Sequence, residues 1–173
     1  MTSASTVIYG LPIAMTPTTP LAGFAELYER HYEAVFRAAL RVTGNPSDAE
    51  DVLQTVFLRI LARGGDVEEL ELPAAYFRRA AVNAAVDVLR RREMHAESAY
   101  DDREHPVETP VLLKERLRRA IAVLDSEDAS LFLLRHVEGL SNDELAAMFG
   151  LEKNNVAVRL HRIRHRLQAE MER

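Results

Sequence analysis

The segment from residue 139 to residue 166, GLSNDELAAMFGLEKNNVAVRLHRIRHR, concentrates side chains that bind nucleic acid. Arginine, lysine and asparagine hydrogen-bond base edges and phosphates, and no acidic side chain lies between Lys153 and Ala169. A recognition helix enters the major groove by its N-terminal end. This predicts base contacts from Lys153, Asn154, Asn155 and Val158, and phosphate contacts from Arg159, His161, Arg162 and Arg166.

Two short helices joined by a tight turn are predicted to position these side chains. Ser141 and Glu144 have the spacing of a capping box, which starts the first helix. Gly150 ends it, because glycine takes a left-handed backbone without a steric penalty. Apolar residues then recur at helical spacing and predict the buried stripe of the second helix: Val156, Leu160, Ile163 and Leu167. The pattern predicts a DNA-binding helix-turn-helix; the alternative is an ordinary amphipathic helix with a solvated basic face.

Helical spacing of apolar residues predicts five further helices upstream, and no strand pattern or internal repeat is present. Gly44 closes the first helix, and the Asn45-Pro46 pair begins the second as cap and first helical residue. We therefore predict an all-α fold of two small helical domains, the second a helix-turn-helix domain. The predicted helices span residues 21–42, 46–63, 73–93, 111–124 and 127–137.

Composition divides the chain into four parts. Residues 1–20 are rich in Thr, Ser and Pro and predict a flexible tail. Residues 21–94 form the first predicted domain. From 95 to 110 the apolar period disappears and acids accumulate, which is typical of a flexible linker. Residues 111–173 form the second predicted domain.

The 173-residue chain carries a net charge of −5, which is unexpected for a DNA-binding protein. The charge is segregated, however, since acids gather at 48–51 and 93–108 and leave the last helix cationic. Acidic surfaces of this kind suggest a protein partner as well as DNA. The absence of cysteine excludes disulfides and thiolate catalysis. No apolar run is long enough for a membrane span and no secretion signal is evident, so we expect a cytoplasmic protein.

The chain resembles the bacterial extracytoplasmic-function (ECF) sigma factors, the minimal two-domain specificity subunits of RNA polymerase. The resemblance covers about residues 21–171. It rests on four ordered motifs: LYERHYEAVFRAALRVTGNPSDAEDVLQ, PAAYFRRAAVNAAVDVLRRR, LFLLRHVEGLSNDELAAMFG and VRLHRIRHRL. In that family the second domain recognises the minus-thirty-five promoter element, which here implies the helix from Lys153 onward.

The family resemblance also implies a polymerase-binding surface on the second helix. The matching family segment docks on the coiled-coil clamp of the largest polymerase subunit. Thr55 stands where the family usually has a carboxylate, so phosphorylation by a kinase would restore negative charge there, although a tolerated substitution is the simpler explanation. Acids at a helix N-terminus also stabilise the helix through its dipole. The implied contacts come from Asp48, Glu50, Asp51, Gln54, Thr55 and Leu58.

The third predicted helix resembles the family's reader of the minus-ten element, where the DNA duplex is melted. Asparagine suits a base edge, an aromatic ring suits stacking on an unpaired base, and arginine suits phosphate. Tyr76 replaces the family's usual tryptophan, and Val82 a common arginine. Core packing is the alternative for Tyr76 or Phe77. The implied DNA contacts are Tyr76, Arg79, Asn83, Asp87, Arg90 and Arg91.

The resemblance implies a protein with no catalytic activity, whose partners are core RNA polymerase, promoter DNA and, in some members, an anti-sigma protein. A DNA-binding regulator that acts without polymerase is the alternative. A metal-dependent helical hydrolase fits poorly, because the clustered acids at 48–51 diverge around their helix. His161 and His165 have a metal-ligand spacing without a third ligand, so we expect no metal and no cofactor.

Overall fold

The computed structural model describes residues 20–62, 74–97 and 109–173. Within these ranges the chain forms seven α-helices and no strand, which confirms the all-helical prediction. Residues 1–19 of the predicted tail (1–20) and most of the predicted linker lie outside the described residues, and Pro20 belongs to α1. The helices are α1 (Pro20–Thr43), α2 (Pro46–Ala62), α3 (Ala74–Glu97), α4 (Pro110–Ala122), α5 (Ser126–His136), α6 (Asn142–Phe149) and α7 (Lys153–Met171).

The first domain packs α1, α2 and α3 around one apolar core. The turn between α1 and α2 forms because Gly44 takes a φ of +68° and the Asn45 side chain accepts a hydrogen bond from the Ser47 N–H at 2.8 Å. Phe77 is fully buried beneath the His31 ring, so core packing accounts for this aromatic residue. The side chains buried in this core include Val35, Val52, Phe57, Phe77, Val82 and Val86.

The second domain packs α4 to α7 around a smaller core. Each of its first three helices begins at a residue whose side chain accepts a backbone hydrogen bond: Thr109 for α4, Asp125 for α5 and Ser141 for α6. These caps satisfy N–H groups that have no partner inside the helix. The core residues include Leu131, Leu134, Leu145, Val156 and Ile163.

The two domains pack against each other, chiefly through α3 on α4 and α5. Arg118 of α4 donates to the Val42 carbonyl at 3.1 Å, and Arg41 of α1 pairs with Glu138 at 2.7 Å. Gly44 lies directly under the Arg118 guanidinium, where an added Cβ would stand 2.0 Å from a side-chain nitrogen. A side chain at this position would displace the Arg118 guanidinium, and the positive φ of Gly44 disfavours any residue other than glycine.

The predicted ends of the five upstream helices lie within two residues of the observed ends, except at the C-terminal end of α3. α3 continues to Glu97, beyond the arginine cluster that we expected to end it. Glu93 faces Arg119 of α4 at 3.9 Å, so a neighbouring helix contributes to this last part of α3. α5 stops at His136, one residue short of the prediction, and Val137 becomes its C-cap.

Candidate nucleic-acid interface

Helices α6 and α7 form the predicted helix-turn-helix. The capping box is present: the Glu144 N–H donates to the Ser141 hydroxyl at 3.2 Å, and the Ser141 N–H donates to the Glu144 carboxylate at 2.8 Å. These hydrogen bonds hold the pKa of Glu144 below its usual value. Gly150 ends α6 with a φ of +65°, and Leu151 packs against the core. The chain can then reverse direction within three residues, which fixes the angle at which α7 leaves the domain.

The buried stripe of α7 is the predicted one, with Val156, Leu160, Ile163 and Leu167 inside. Its opposite face is open. Val158 is 50% exposed. Arg162 is exposed and makes no hydrogen bond or ion pair within the described parts of the chain. Lys153 bridges back to Asp143 of α6 at 2.8 Å. The exposed face of α7 thus presents polar and apolar groups together, from Asn154, Asn155, Val158 and Arg162. Recognition of base edges in a DNA groove requires this combination.

Two arginines on the flank of α7 are already paired within the protein. Arg159 approaches Asp128 at 2.5 Å, Glu127 at 2.8 Å and Asp125 at 3.8 Å, and Arg166 approaches Asp128 at 3.2 Å. Burial raises the pKa of Asp128, with Asp125 adding to the rise and Arg159 opposing it. Partial burial alone would lower the pKa of Arg159, but the hydrogen bonds that Arg159 donates to the Asp128 and Glu127 carboxylates raise the pKa above its usual value. A cleft of about 440 Å³ opens beside these side chains, lined by Asp128, Asn155, Val158, Arg159, Arg162 and Arg166.

The His161 and His165 rings stand side by side on the exposed face of α7, with their Nε2 atoms 3.0 Å apart. Among the residues that the structure describes, no group of three or more His, Cys, Asp or Glu side chains converges on a metal-sized site. The pair can donate to or accept from DNA, because either ring nitrogen can carry the proton.

Three of the residues expected to contact the minus-ten element touch the second domain instead of solvent. Arg79 donates to the Met148 carbonyl at 2.5 Å, and its guanidinium lies over the Phe149 ring at 4.3 Å from the centroid. Asn83 accepts a hydrogen bond from the Ser130 hydroxyl. Arg90 donates to the Ala122 carbonyl at 3.3 Å, to the Leu124 carbonyl and to the Ser126 hydroxyl.

Two of the acceptors that engage Arg79 and Arg90 share one origin. Carbonyl groups in the last turn of a helix have no intrahelical partner and carry the negative end of the helix dipole. Met148 lies at the end of α6, and Ala122 lies at the end of α4. The second domain therefore offers the α3 arginines the same kind of electronegative oxygen that a phosphate would offer.

The remaining α3 candidates lie on the side that faces α2. Asp87 pairs with Arg59 at 3.7 Å, and Arg91 is exposed. A groove of about 330 Å³ runs between the two helices, and Thr55 lies half-buried within it. Tyr76 is half-buried against Phe77, edge to face. The groove is lined by Thr55, Arg59, Ala84, Asp87, Arg90, Arg91 and Met94.

The acidic residues of α2 differ in exposure, because one of them pairs with α3. Glu50, Asp51 and Gln54 are exposed as expected, and Leu58 is 61% exposed. Asp48 differs from its predicted outward position, since its side chain is only 18% exposed and pairs with Arg92 of α3. The helical projection placed Asp48 outside because it considered α2 alone, whereas α3 covers this first turn. Asp48 therefore links two helices and also favours the α2 N-terminus.

Comparison with known proteins assigns both domains. Residues 27–94 match the family described as Sigma-70 region 2, and residues 114–167 match the family described as Sigma-70, region 4. An RNA polymerase sigma-E factor of Streptomyces coelicolor is 32% identical over 155 residues, which cover 86% of this chain and 85% of the relative. The chain belongs to the ECF sigma factors.

One further relative and one solved structure differ in how fully they match this chain. The ECF RNA polymerase sigma factor SigE of Mycolicibacterium smegmatis is 30% identical, covering 83% of this chain and 59% of the relative. A crystal structure of the sigma factor RpoE with the anti-sigma factor NepR from Bartonella quintana gives a TM-score of 0.49 at 19% identity, covering 86% of this chain and 96% of that one.

Sequence reasoning missed several residues of this sigma factor that shape the interface. Asp125, Glu127 and Asp128 cover Arg159 and Arg166, and Ser130 contacts Asn83. Acidic residues are common at the start of a helix, where they cap it and interact with its dipole. No sequence pattern therefore indicated that those of α5 pair with arginines of α7. In the described residues no helix is both long and apolar enough to cross a bilayer.

Proposed function

We propose that this sigma factor binds core RNA polymerase and directs it to promoters, with α7 recognising the minus-thirty-five element and α3 recognising and melting the minus-ten element. The observation that carries the proposal is the open face of α7, on which Asn154, Asn155, Val158 and Arg162 are exposed at the end of a capped helix-turn-helix. Lys153, His161 and Arg166 extend this surface along both sides.

In the proposed recognition of the minus-thirty-five element, the N-terminal turns of α7 enter the major groove. Asn154 and Asn155 hydrogen-bond base edges, and Val158 contacts a thymine methyl group. Arg162 follows Val158 by four residues on the same face, where it reaches a phosphate or a guanine. Each good base contact discriminates against the wrong base by about 1 to 3 kcal/mol.

In the proposed recognition of the minus-ten element, Asn83 binds a base edge, Arg79, Arg90 and Arg91 bind phosphates, and Tyr76 stacks beside an unpaired base. Asp87 holds Arg59 at the margin of the same surface. Because the second domain contacts Arg79, Asn83 and Arg90 in the described arrangement, the two domains must separate before α3 can bind DNA.

For polymerase binding, we propose that α2 uses Glu50, Asp51, Gln54 and Leu58. An exposed leucine surrounded by acids suits a basic clamp that also offers an apolar pocket. Asp48 supports this surface from its pairing with Arg92. Replacing Leu58 by Asp is expected to weaken core binding by at least tenfold, on the order of a modest interface hot spot. Val123→Asp, at an exposed apolar residue outside α2, is the control and should bind core polymerase normally.

We infer a conditional role for Thr55, which rests on the proposed polymerase surface. A phosphate on Thr55 would add negative charge beside Arg59 and Arg91 in the groove between α2 and α3. Equal transcription by Thr55→Ala and Thr55→Asp variants would reject this role and leave Thr55 as a tolerated substitution.

The decisive experiment is run-off transcription with purified core polymerase over a library of promoter sequences. The proposal expects selective initiation only when this chain is present. One observation favours a second candidate, a DNA-binding regulator that acts alone: the face of α7 is open while that of α3 is covered. That candidate expects tight binding of a specific duplex by the free chain and no promoter selectivity with core polymerase.

We propose further that the protein has no catalytic activity of its own and acts in the cytoplasm. Its proposed parts are the tail (1–20), the polymerase-binding and minus-ten domain (21–94), the linker (95–110) and the minus-thirty-five domain (111–173). An anti-sigma protein is a candidate partner that would compete with polymerase for α2. Competition between a purified candidate and core polymerase tests this directly.

A further inference from the structure

The first turn of α5 places three carboxylates against the DNA-facing flank of α7. Asp125, Glu127 and Asp128 all lie within 4 Å of the Arg159 guanidinium, and two of them also approach Arg166. Arg159 retains only 29% of its side-chain exposure. The positive charge of this flank is therefore largely balanced inside the protein.

Arg162 provides an internal comparison, because it lines the same cleft without a carboxylate partner in the described residues. The pairing of Arg159 and Arg166 is consequently a feature of particular positions and does not extend to every arginine of α7. A phosphate approaching this flank can bind Arg162 at once, but it must displace a carboxylate to bind Arg159.

The three carboxylates differ in how much they contribute to the structure of α5. Asp128 is nearly buried, and its N–H donates to the Asp125 side chain at 2.8 Å, which caps α5. Removing either aspartate would disturb the helix start as well as the charge. Glu127 is half exposed, and its described ion pair is with Arg159 alone, at 2.8 Å. Glu127 therefore affects the arginine and supports the fold only through its charge near the N-terminus of α5.

We propose that Asp125 and Glu127 are specificity-determining residues that compete with DNA phosphates for Arg159 and Arg166. This inference rests on the proposed binding of DNA by α7. Phosphate attraction is independent of sequence and strengthens correct and incorrect sites alike. Internal carboxylates reduce that attraction, so the base contacts of Asn154, Asn155 and Val158 determine a larger share of site selection.

The test compares full-length wild type with Glu127→Gln, which keeps the side-chain shape and removes its charge. Binding of a scrambled 30-base-pair duplex is measured by fluorescence anisotropy between about 50 and 200 mM salt, where each added phosphate contact steepens the log–log salt slope by about 0.9. We expect the log–log salt slope of Glu127→Gln to be steeper than that of wild type by up to about 0.9. We also expect this variant to bind the scrambled duplex at least about threefold more tightly at 50 mM salt.

Glu170→Gln is the matched control. Glu170 also pairs with an arginine, Arg173 at 3.2 Å, but at the far end of α7 from the recognition residues. The control removes the same charge and frees an arginine in the same way. We expect its salt slope to equal that of wild type. A gain of equal size in both variants would reduce the effect to net charge and overturn the proposal.

A double variant, Glu127→Gln with Arg159→Ala, identifies the arginine responsible. The gain must disappear in this background, and a persistent gain overturns the assignment to Arg159. No change in Glu127→Gln, including undetectable binding by every protein, also overturns the inference. Run-off transcription in parallel separates failure of this inference from failure of the proposed function. If wild type selects promoters but the salt slope of Glu127→Gln is unchanged, only this inference is rejected. If wild type shows no promoter selectivity, the proposed function is rejected.

Discussion

The two candidate DNA surfaces of this sigma factor are restrained in different ways. On α3, Arg79, Asn83 and Arg90 are covered by another domain, whose helix-terminal carbonyls and hydroxyls take up their hydrogen bonds. On α7 the face is open, and only the flanking charge is balanced by carboxylates of the neighbouring helix. Covering a surface makes its availability depend on domain movement, whereas balancing its charge leaves it available but lowers its general attraction for DNA.

This difference matches the chemistry proposed for each surface. A surface that melts DNA would hold any single strand that it meets, so covering it prevents unproductive binding until the domains separate. A surface that reads a duplex must scan many sites and benefits from weak phosphate attraction. Each restraint can be removed without altering the other, which makes the comparison testable.

The largest effect is expected from locking the two domains together. The native chain has no cysteine, so Asn83→Cys with Ser130→Cys introduces a single pair at contacting positions of α3 and α5. The disulfide-linked form should lose promoter melting by at least about tenfold, because it cannot populate the separated state. Binding of a minus-thirty-five duplex should be unchanged. Because Asn83→Cys also removes the proposed base contact, permanganate footprinting compares the linked form with the same protein after reduction and not with wild type. Melting by the linked form would refute domain separation.

A smaller loss is expected when the open surface is damaged. Arg162→Ala should reduce transcription that depends on the minus-thirty-five element about fivefold, the equivalent of roughly 1 kcal/mol and the lower end of the range for one good contact. Arg164→Ala is the control, because Arg164 is also exposed on α7 but points away from the cleft that Arg162 lines. Equal losses in the two variants would show that general positive charge, and not the proposed face, is responsible.

A moderate effect on stability is expected at the start of the helix-turn-helix. Ser141→Ala removes the cap of α6 and should cost about 1 kcal/mol. For a domain of this size that amounts to a decrease of about 4 to 8 °C in the melting temperature, measured by circular dichroism. Ser47→Ala, near the start of α2, changes a serine whose hydroxyl has no hydrogen bond in the described residues. Its melting temperature should stay within a degree or two of wild type.

The smallest effect is expected from pH. Burial, and secondarily Arg30, lowers the pKa of His31, and burial with nearby arginines lowers that of His136 from an ordinary 6.5. Below about pH 6.5 these histidines therefore bind protons more readily in the unfolded chain than in the folded chain. The free energy of unfolding, which is fully present above that pH, decreases as the pH falls. The melting temperature of wild type should fall as the pH is lowered from 7.5 to 5.5. The fall should be smaller in a double variant with His31→Gln and His136→Gln. An identical fall in that variant would assign the effect to other groups.

Local patterns predicted much of this molecule. The α7 stripe, the capping box and the turn at Gly150 each depend on residues within a few positions of one another, and all three are confirmed. The assignment of site residues to DNA and polymerase stays a prediction. What the sequence did not reveal depends on packing between distant residues: Asp48 meets Arg92, Arg159 meets Asp128, and Arg90 meets backbone carbonyls. Carbonyl acceptors are common to nearly every residue, so no sequence pattern identifies them.

The turn at Gly44 has a consequence for exchanging domains between relatives. A side chain at this position is disfavoured by the positive φ and also by the Arg118 guanidinium above it. The turn of the first domain requires glycine here, and the second domain places a flexible arginine side chain against the same residue. A chimera that keeps glycine here but brings a second domain without Arg118 loses the hydrogen bond to the Val42 carbonyl, so the two halves of this protein are not fully interchangeable modules.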